Sequence, residues 1–367
     1  MKQFFNMSIN KKNILELSFL EIEKIISLTR SEKFYAKQIW SWIYGAGIKS
    51  FSEMSNLPKN LRQELDQNYT IERLAISKDV VSFDKTRKWL VELKDGNKVE
   101  TVFIPEENRG TLCISSQVGC TLACKFCFTG TQLLVRNLEF NEIIGQILIA
   151  KDLLIDWNKK QRKITNIVFM GMGEPFFNYE NVAKALKIMI DSDGLDFSLK
   201  KITISTSGLI PEILKCSKEL KTNLAISLHA TNNKVRTEIM AINKKYPLED
   251  LMASCQKYNQ ENPQKKLTFE YVMLENINDN NENALELVKL IKKYNLEVKV
   301  NLIPFNSWQS CGYKASSKNK IISFQNILKR NKIFATIRKT RGDDVLAACG
   351  QLKSDSKRIF KNDSNLS

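Results

Sequence analysis

CISSQVGCTLACKFC, residues 113–127, holds four of the chain's eight cysteines. Cys120, Cys124 and Cys127 form a C-x3-C-x2-C pattern, and Cys113 stands seven residues ahead of it. The run starts inside an apolar segment, TLCIS (111–115), which reads as a buried strand, so the three cysteines occupy the loop that leaves it. Downstream, FNEIIGQILIAKDLLIDW (140–157) has helical periodicity and TNIVFMG (165–171) reads as the next strand. The alternation continues through KITISTS (201–207), NLAISL (223–228), LTFEYVM (267–273) and VKVNLIP (298–304), with a helical NENALELVKLIKKY (281–294) between the last two. FATIRK (334–339) adds a late strand. Repeated strand–helix units imply an α/β fold with a parallel sheet. Six of them make a partial (βα)6 barrel with its reactive loops at the strands' C-terminal ends.

The chain ahead of this region reads differently. SFLEIEKIISL (18–28), KFYAKQIWSWIYGAG (33–47) and PKNLRQELDQNY (58–69) carry apolar residues at helical spacing between short polar breaks. They define a small helical accessory domain, residues 1–90, ahead of a catalytic domain over 91–350. Strands follow in VVSFDKTRKWLVELKDGNKVETVFIP (80–105), where DGN marks a hairpin turn. Residues 351–367 lack apolar periodicity and read as a mobile C-terminal tail.

At 367 residues, with 43% hydrophobic and 26% charged, the composition is that of a soluble protein of about two domains. No apolar run reaches the length of a membrane span, and MKQFFNMSINKKN lacks a signal-peptide core. A cytoplasmic, reducing location is the expectation, and there clustered cysteines serve metals or catalysis rather than disulfides. Lys and Arg outnumber Asp and Glu by 56 to 40, a net charge of +16. That excess points to a polyanion such as RNA, although it equally serves solubility. Trp40, Trp42 and Tyr44 could stack bases, but their helical spacing favours core packing. Runs such as KRNK (329–332) suit phosphates better.

Three close thiolates suit an iron–sulfur cluster or a soft ion such as zinc. Structural zinc normally takes four protein ligands, yet no second cysteine pair follows and the sole histidine, His229, lies over a hundred residues away. A four-iron cluster held by three cysteines leaves one iron open to a ligand. Both chemistries stay open on spacing alone, and with zinc the chain would be a zinc-stabilised, non-catalytic RNA-binding protein. Cys216, Cys255 and Cys311 read as small buried residues.

The C-x3-C-x2-C loop after the first strand of a partial barrel resembles the radical S-adenosylmethionine (SAM) superfamily. GMGEP (171–175) resembles its motif after the second strand, where Gly173 and Glu174 would meet the amino group of SAM. STSG (205–208) and SLHA (227–230) resemble its cofactor-contacting strand ends. The likeness implies a [4Fe-4S] cluster on Cys120, Cys124 and Cys127, and SAM as cosubstrate.

VETVFIP (99–105), LCISSQVGC (112–120), GMGEP and RGDDVLAACGQL (341–352) together resemble the RlmN family, adenine C2 methyltransferases of 23S rRNA and tRNA. A ring carbon of adenine is a poor nucleophile, so a methyl group is first parked on a protein thiolate. The resemblance makes Cys349 the S-methylcysteine intermediate, Cys113 the resolving thiol in a transient disulfide with Cys349, and Glu100 the proton acceptor. Ser205, Ser227, Leu228, His229 and Asn306 match SAM contacts. The implied targets are adenosine 2503 of 23S rRNA and adenosine 37 of tRNA, with a low-potential electron donor as a further partner. The C8-methylating Cfr-type enzymes, which share the two cysteines, are the alternative.

Overall fold

The computed structural model describes residues 11–28, 32–308, 311–354 and 356. The remaining residues, which include the start of the N-terminal segment and most of the expected tail, lie outside the described set. The chain divides into two compact units.

The first unit comprises residues 1–74, 139–162 and 184–197. Its helices α1 (Phe19–Leu28), α2 (Phe34–Trp40) and α3 (Lys59–Asn68) bury Ile22 and Ile26, Ile39 and Trp40, and Leu61 and Leu65. The first and last pairs are four residues apart, and buried Ala36 lies three and four residues before Ile39 and Trp40, which puts the apolar side chains on one helix face. A π-helical stretch, Ser41–Ala46, continues α2 and ends at Gly47 with φ +74°. A side chain there would be strained and would overlap Trp157, whose ring lies 2.1 Å from the position of a Cβ. Trp40 and Tyr44 are buried with ring centroids 4.5 Å apart, the core role their spacing favours. Trp42 is half-buried and donates to Asn56. The apolar helix α4 (Phe140–Leu154) also belongs to this unit.

The second unit holds a ten-stranded sheet. In chain order its strands are β1 (Ala75–Val81), β2 (Arg87–Glu92), β3 (Lys98–Glu106), β4 (Arg109–Cys113), β5 (Asn166–Phe169), β6 (Ile202–Thr206), β7 (Asn223–Ser227), β8 (Leu267–Met273), β9 (Lys299–Pro304) and β10 (Phe334–Ile337). Each strand pairs with its chain neighbours, so spatial order follows chain order. β1 to β4 are antiparallel, and β4 to β10 run parallel. The parallel strands are the six expected strands plus the late one. Near-continuous apolar runs such as Leu224, Ala225 and Ile226, all fully buried, suit strands covered on both faces. The helices that follow β5 to β9 in the chain include α5 (Tyr179–Ile190), α6 (Ile210–Glu219), α7 (Asn233–Ile239), α8 (Leu248–Glu261), α9 (Asn281–Lys293) and α10 (Lys318–Arg330).

The expected DGN turn forms, with Gly96 at φ +77° and its N–H donating to Leu93. The strand pair β1–β2 carries a bulge between Ile76 and Lys78, and β1 and β10 are the sheet's two edges. The first residues of the expected mobile tail are ordered by contacts. Gln351, Leu352 and Ser354 are buried, Thr129 donates to the Leu352 carbonyl, and Gln132 bonds Ser354. Sequence periodicity misses this segment because its anchors are isolated polar groups rather than a repeating apolar face. Among the described residues no helix is long and apolar enough to cross a membrane.

Candidate active site

The parallel strands end in loops that enclose a cavity of about 140 Å³ in the second unit. Cys120, Cys124 and Cys127 line it together with Gly173, Glu174, Ser205, Ser227, His229, Asn306 and Cys349. Backbone bonds shape the cysteine loop: Cys127 N–H donates to the Cys124 carbonyl, and Cys120 N–H to Gln132. Burial is the main force raising all three thiols, with Cys120 pushed up to about 12, and neighbouring thiols add to it at Cys120 and Cys124. Such a trio carries its protons until a metal centre supplies positive charge, which deprotonates coordinating thiols. The trio supplies three thiolates from one loop, and a four-iron cluster takes one on each of three irons and leaves the fourth open, so the donor set fits the cluster.

Across the cavity, Gly173 has φ +96°, and a Cβ there would lie 2.5 Å from Gln117 Cβ. Its neighbour Glu174 is buried, with Oε2 accepting the Ser207 N–H at 2.8 Å and Oε1 the Phe176 N–H at 3.2 Å. Burial raises the pKa of this carboxyl, and those hydrogen bonds pull it back. His229 is also buried and holds φ +58°. Its Nδ1 accepts the Val272 N–H at 3.0 Å, which leaves the ring proton on Nε2. Burial pushes its pKa down to about 3, and its ring packs edge-on against Phe126.

A second, larger space of about 960 Å³ lies against the strands of the same unit. Eight Lys or Arg residues line it against three Glu, so its field favours an anion. Cys349 lines both cavities, as do Glu270, Asn306 and Arg338, whereas Cys113 lines only the larger one. Arg338 Nη1 lies 3.6 Å from Glu270 Oε2, and Asn301 donates to Glu270 Oε1 at 2.8 Å. Burial raises Cys113 to about 12; Cys349 is exposed on its loop, yet desolvation by its surroundings also raises its thiol, and the Arg338 guanidinium draws both back toward the thiolate. All eight cysteines are free thiols, so the expected Cys113–Cys349 pairing has no counterpart in this structure.

Two of the sequence-derived residues line neither cavity. Leu228 is fully buried, its N–H donating to Glu270 and its carbonyl accepting from Arg236. Glu100 is buried with Oε1 2.9 Å from Lys88 Nζ and Oε2 accepting the Lys353 N–H at 2.9 Å. Burial raises its pKa, and Lys88 opposes the rise. Sequence reading also misses Arg236 on α7. Its buried guanidinium donates to the carbonyls of Leu228, Ser207 and Ser227 and to Asn243, tying two strand-end loops together. No spacing rule marks Arg236, Glu270 or Arg338, because their partners come from other strands.

A parallel sheet with a three-cysteine loop beyond its first parallel strand, facing a Gly–Glu turn, defines a radical SAM enzyme. Residues 114–288 match the Radical SAM superfamily, and residues 12–71 match the ribosomal RNA large subunit methyltransferase N-terminal domain. The dual-specificity RNA methyltransferase RlmN of Rhizorhabdus wittichii is 48% identical over 331 residues, 90% of this chain and 82% of that protein. Its namesake from Rhodospirillum rubrum is 48% identical over 349 residues, 94% of this chain and 81% of that one. A crystal structure of a radical SAM methyltransferase from Sphaerobacter thermophilus superposes with a TM-score of 0.86 at 37% identity, covering 93% of this chain and 99% of that one. The chain belongs to the RlmN family of dual-specificity RNA methyltransferases. Membership in the radical SAM superfamily implies SAM and a [4Fe-4S] cluster.

Proposed function

We infer that this protein methylates C2 of adenosine in 23S rRNA and in tRNA, with Cys349 carrying the methyl group. The observation that carries the reading is the position of Cys349 on the wall shared by the cysteine-lined cavity and the basic one. A methyl carrier must face its donor on one side and the acceptor base on the other.

Cys120, Cys124 and Cys127 would hold the cluster, which when bound with SAM supplies the radical chemistry. Gly173, Glu174, Ser205, Ser227, His229 and Asn306 would hold SAM. Neutral His229 offers an Nε2–H donor, and Glu174 presents a carboxylate that two backbone N–H groups keep in place. Arg338, which lowers both thiols against the desolvation that raises them, would favour the Cys349 thiolate as methyl acceptor and the Cys113 thiolate as the attacker that frees the product. That attack falls on the sulfur of a thioether linking Cys349 to the base: the Cys113–Cys349 bond forms as the sulfur–methylene bond breaks, the methylene leaves with the electron pair and takes a proton to become the product's methyl group, and an external thiol reduces the disulfide.

The larger cavity's eight cationic residues suit an RNA backbone, and the target base must leave its stack to reach Cys349. The N-terminal helical domain, whose helices α1 to α3 precede β1, would grip the folded RNA, in the cytoplasm, and a low-potential donor would supply electrons. Nucleoside mass spectrometry of rRNA and tRNA from cells lacking the gene, with and without a plasmid copy, tests the reading. Restored 2-methyladenosine supports it. An 8-methyladenosine signal moves the assignment to the Cfr type, and neither product overturns the substrate.

A further inference from the structure

Cys349 sits in an irregular loop with little secondary structure to fix its sulfur. Leu346, three residues before it, has φ +50°. A branched side chain in the left-handed region persists only where surrounding contacts over-determine it. Those contacts come from the antiparallel strands. Leu90 faces Glu100 and Lys88 faces Val102 across β2 and β3, so Lys88 and Glu100 are diagonal neighbours on one face. Lys88 Nζ is 2.9 Å from Glu100 Oε1 and donates to the Leu346 carbonyl at 3.0 Å. The other carboxylate oxygen, Oε2, accepts the Lys353 N–H at 2.9 Å, four residues beyond Cys349. One ion pair thus grips the loop on both flanks of the reactive sulfur.

The pair is shielded, with only 14% of the Lys88 side chain and 8% of the Glu100 side chain exposed. Charge-assisted bonds of this kind hold position better than exposed ones. The β1–β2 turn adds to the hold, because Ser82 Oγ and the Phe83 N–H donate to Asp344, and Asp84 accepts the Gly342 N–H. The strand that carries Glu100 is itself tied to the cavity: Ser115 Oγ donates to the Glu100 carbonyl at 2.6 Å and accepts the Met172 N–H at 2.9 Å.

We propose that Glu100 and Lys88 are positioning residues, a clamp that sets where the Cys349 sulfur stands between the two cavities. The proposal rests on the reading of Cys349 as methyl carrier, and it gives Glu100 a task different from accepting the ring proton. Oε1 is paired with Lys88 on β2 and Oε2 with the Lys353 N–H of the loop, and the side chain lines neither cavity.

Lys88→Met is the discriminating variant, because it removes the cation and no group able to accept a proton. The clamp predicts that amide hydrogen exchange of residues 346–354 in the ligand-free protein speeds up about tenfold, the loss expected for one charge-assisted bond. S-methylation of Cys349 by SAM, read by intact mass on cluster-loaded enzyme, falls in step. Glu100→Gln shows both effects, and Lys88→Arg restores both to within about twofold. Unchanged exchange in Lys88→Met overturns the clamp. So does a Glu100→Gln enzyme that methylates Cys349 normally and accumulates as an RNA adduct, since that is the behaviour of a proton acceptor. A wild-type enzyme that never methylates Cys349 would retire the carrier reading, while the exchange comparison would still judge the clamp.

Discussion

Asn306 Nδ2 donates to the main-chain carbonyl of Cys349 at 3.3 Å, while its Oδ1 accepts from Thr340 Oγ1 at 3.1 Å. One amide therefore ties the loop after β9 to two points of the segment that carries Cys349. Asn306→Ala is expected to slow Cys349 methylation about fivefold, in line with the roughly 1 kcal/mol of a single lost hydrogen bond. Single-turnover methylation followed by intact mass measures it, and a wild-type rate would remove Asn306 from the site.

Gly173 tolerates no side chain. With φ +96° and a Cβ position 2.5 Å from Gln117 Cβ, Gly173→Ala must displace Gln117, whose Oε1 accepts the Glu174 N–H. A loss of about 1–3 kcal/mol in stability is expected from the overpacking and backbone strain. Denaturant titration checks it. Calorimetry on the same variant should also show weakened SAM binding.

Arg236 gives a larger effect. Replacing it with Met takes the donor from the carbonyls of Ser207 and Ser227 and leaves the Leu228 carbonyl with the Ala230 N–H alone. Each stranded acceptor costs about 1–3 kcal/mol, and relaxation of the two loops recovers part of the total. A clearly lower unfolding temperature than wild type is expected, and an unchanged one would mean that these carbonyls find other partners.

His229 makes stability pH-dependent with a definite sign. Its pKa is about 3 when folded, below the ordinary histidine value, so between those limits the unfolded chain binds the proton that the folded chain refuses. Its contribution is therefore complete above the unfolded pKa and declines as pH falls toward 3, at about 1.4 kcal/mol per pH unit. His229→Asn, which tolerates the left-handed backbone, should show a shallower acid decline in urea titrations at pH 4 to 6.5. Equal slopes would contradict a neutral His229.

The two outer cysteines separate by product. Cys113→Ala should trap an enzyme–RNA adduct, and Cys349→Ala should yield neither adduct nor methylated RNA. A Cys113→Ala enzyme that turns over freely would remove its resolving role. Replacing Cys120, Cys124 or Cys127 should abolish both outcomes, with loss of the cluster's visible absorbance as an independent readout.

What could be read from the sequence follows the range of each signal. The parallel strands are legible because buried β runs such as NLAIS are local and apolar. The cysteine trio and Gly173–Glu174 are legible because their chemistry is packed into a few consecutive residues. Arg236, Glu270 and Arg338 are not, since each gains meaning only from carbonyls or thiols brought in by other strands. Leu228 follows the strand end that its motif marks, and there its side chain is fully buried. The segment from Gln351 to Ser354 looks like tail in composition and is held by single hydrogen bonds that leave no periodic trace.

A sheet that does not close keeps two raw margins, and each is a template on which another chain could add a strand. Here β10 is only four residues long. At the other margin, β1 is kinked by its bulge and carries Lys78 and Asp79, whose charges a docking strand would have to desolvate. Both margins are therefore ill-suited to pairing, and the open sheet carries little hazard of self-association.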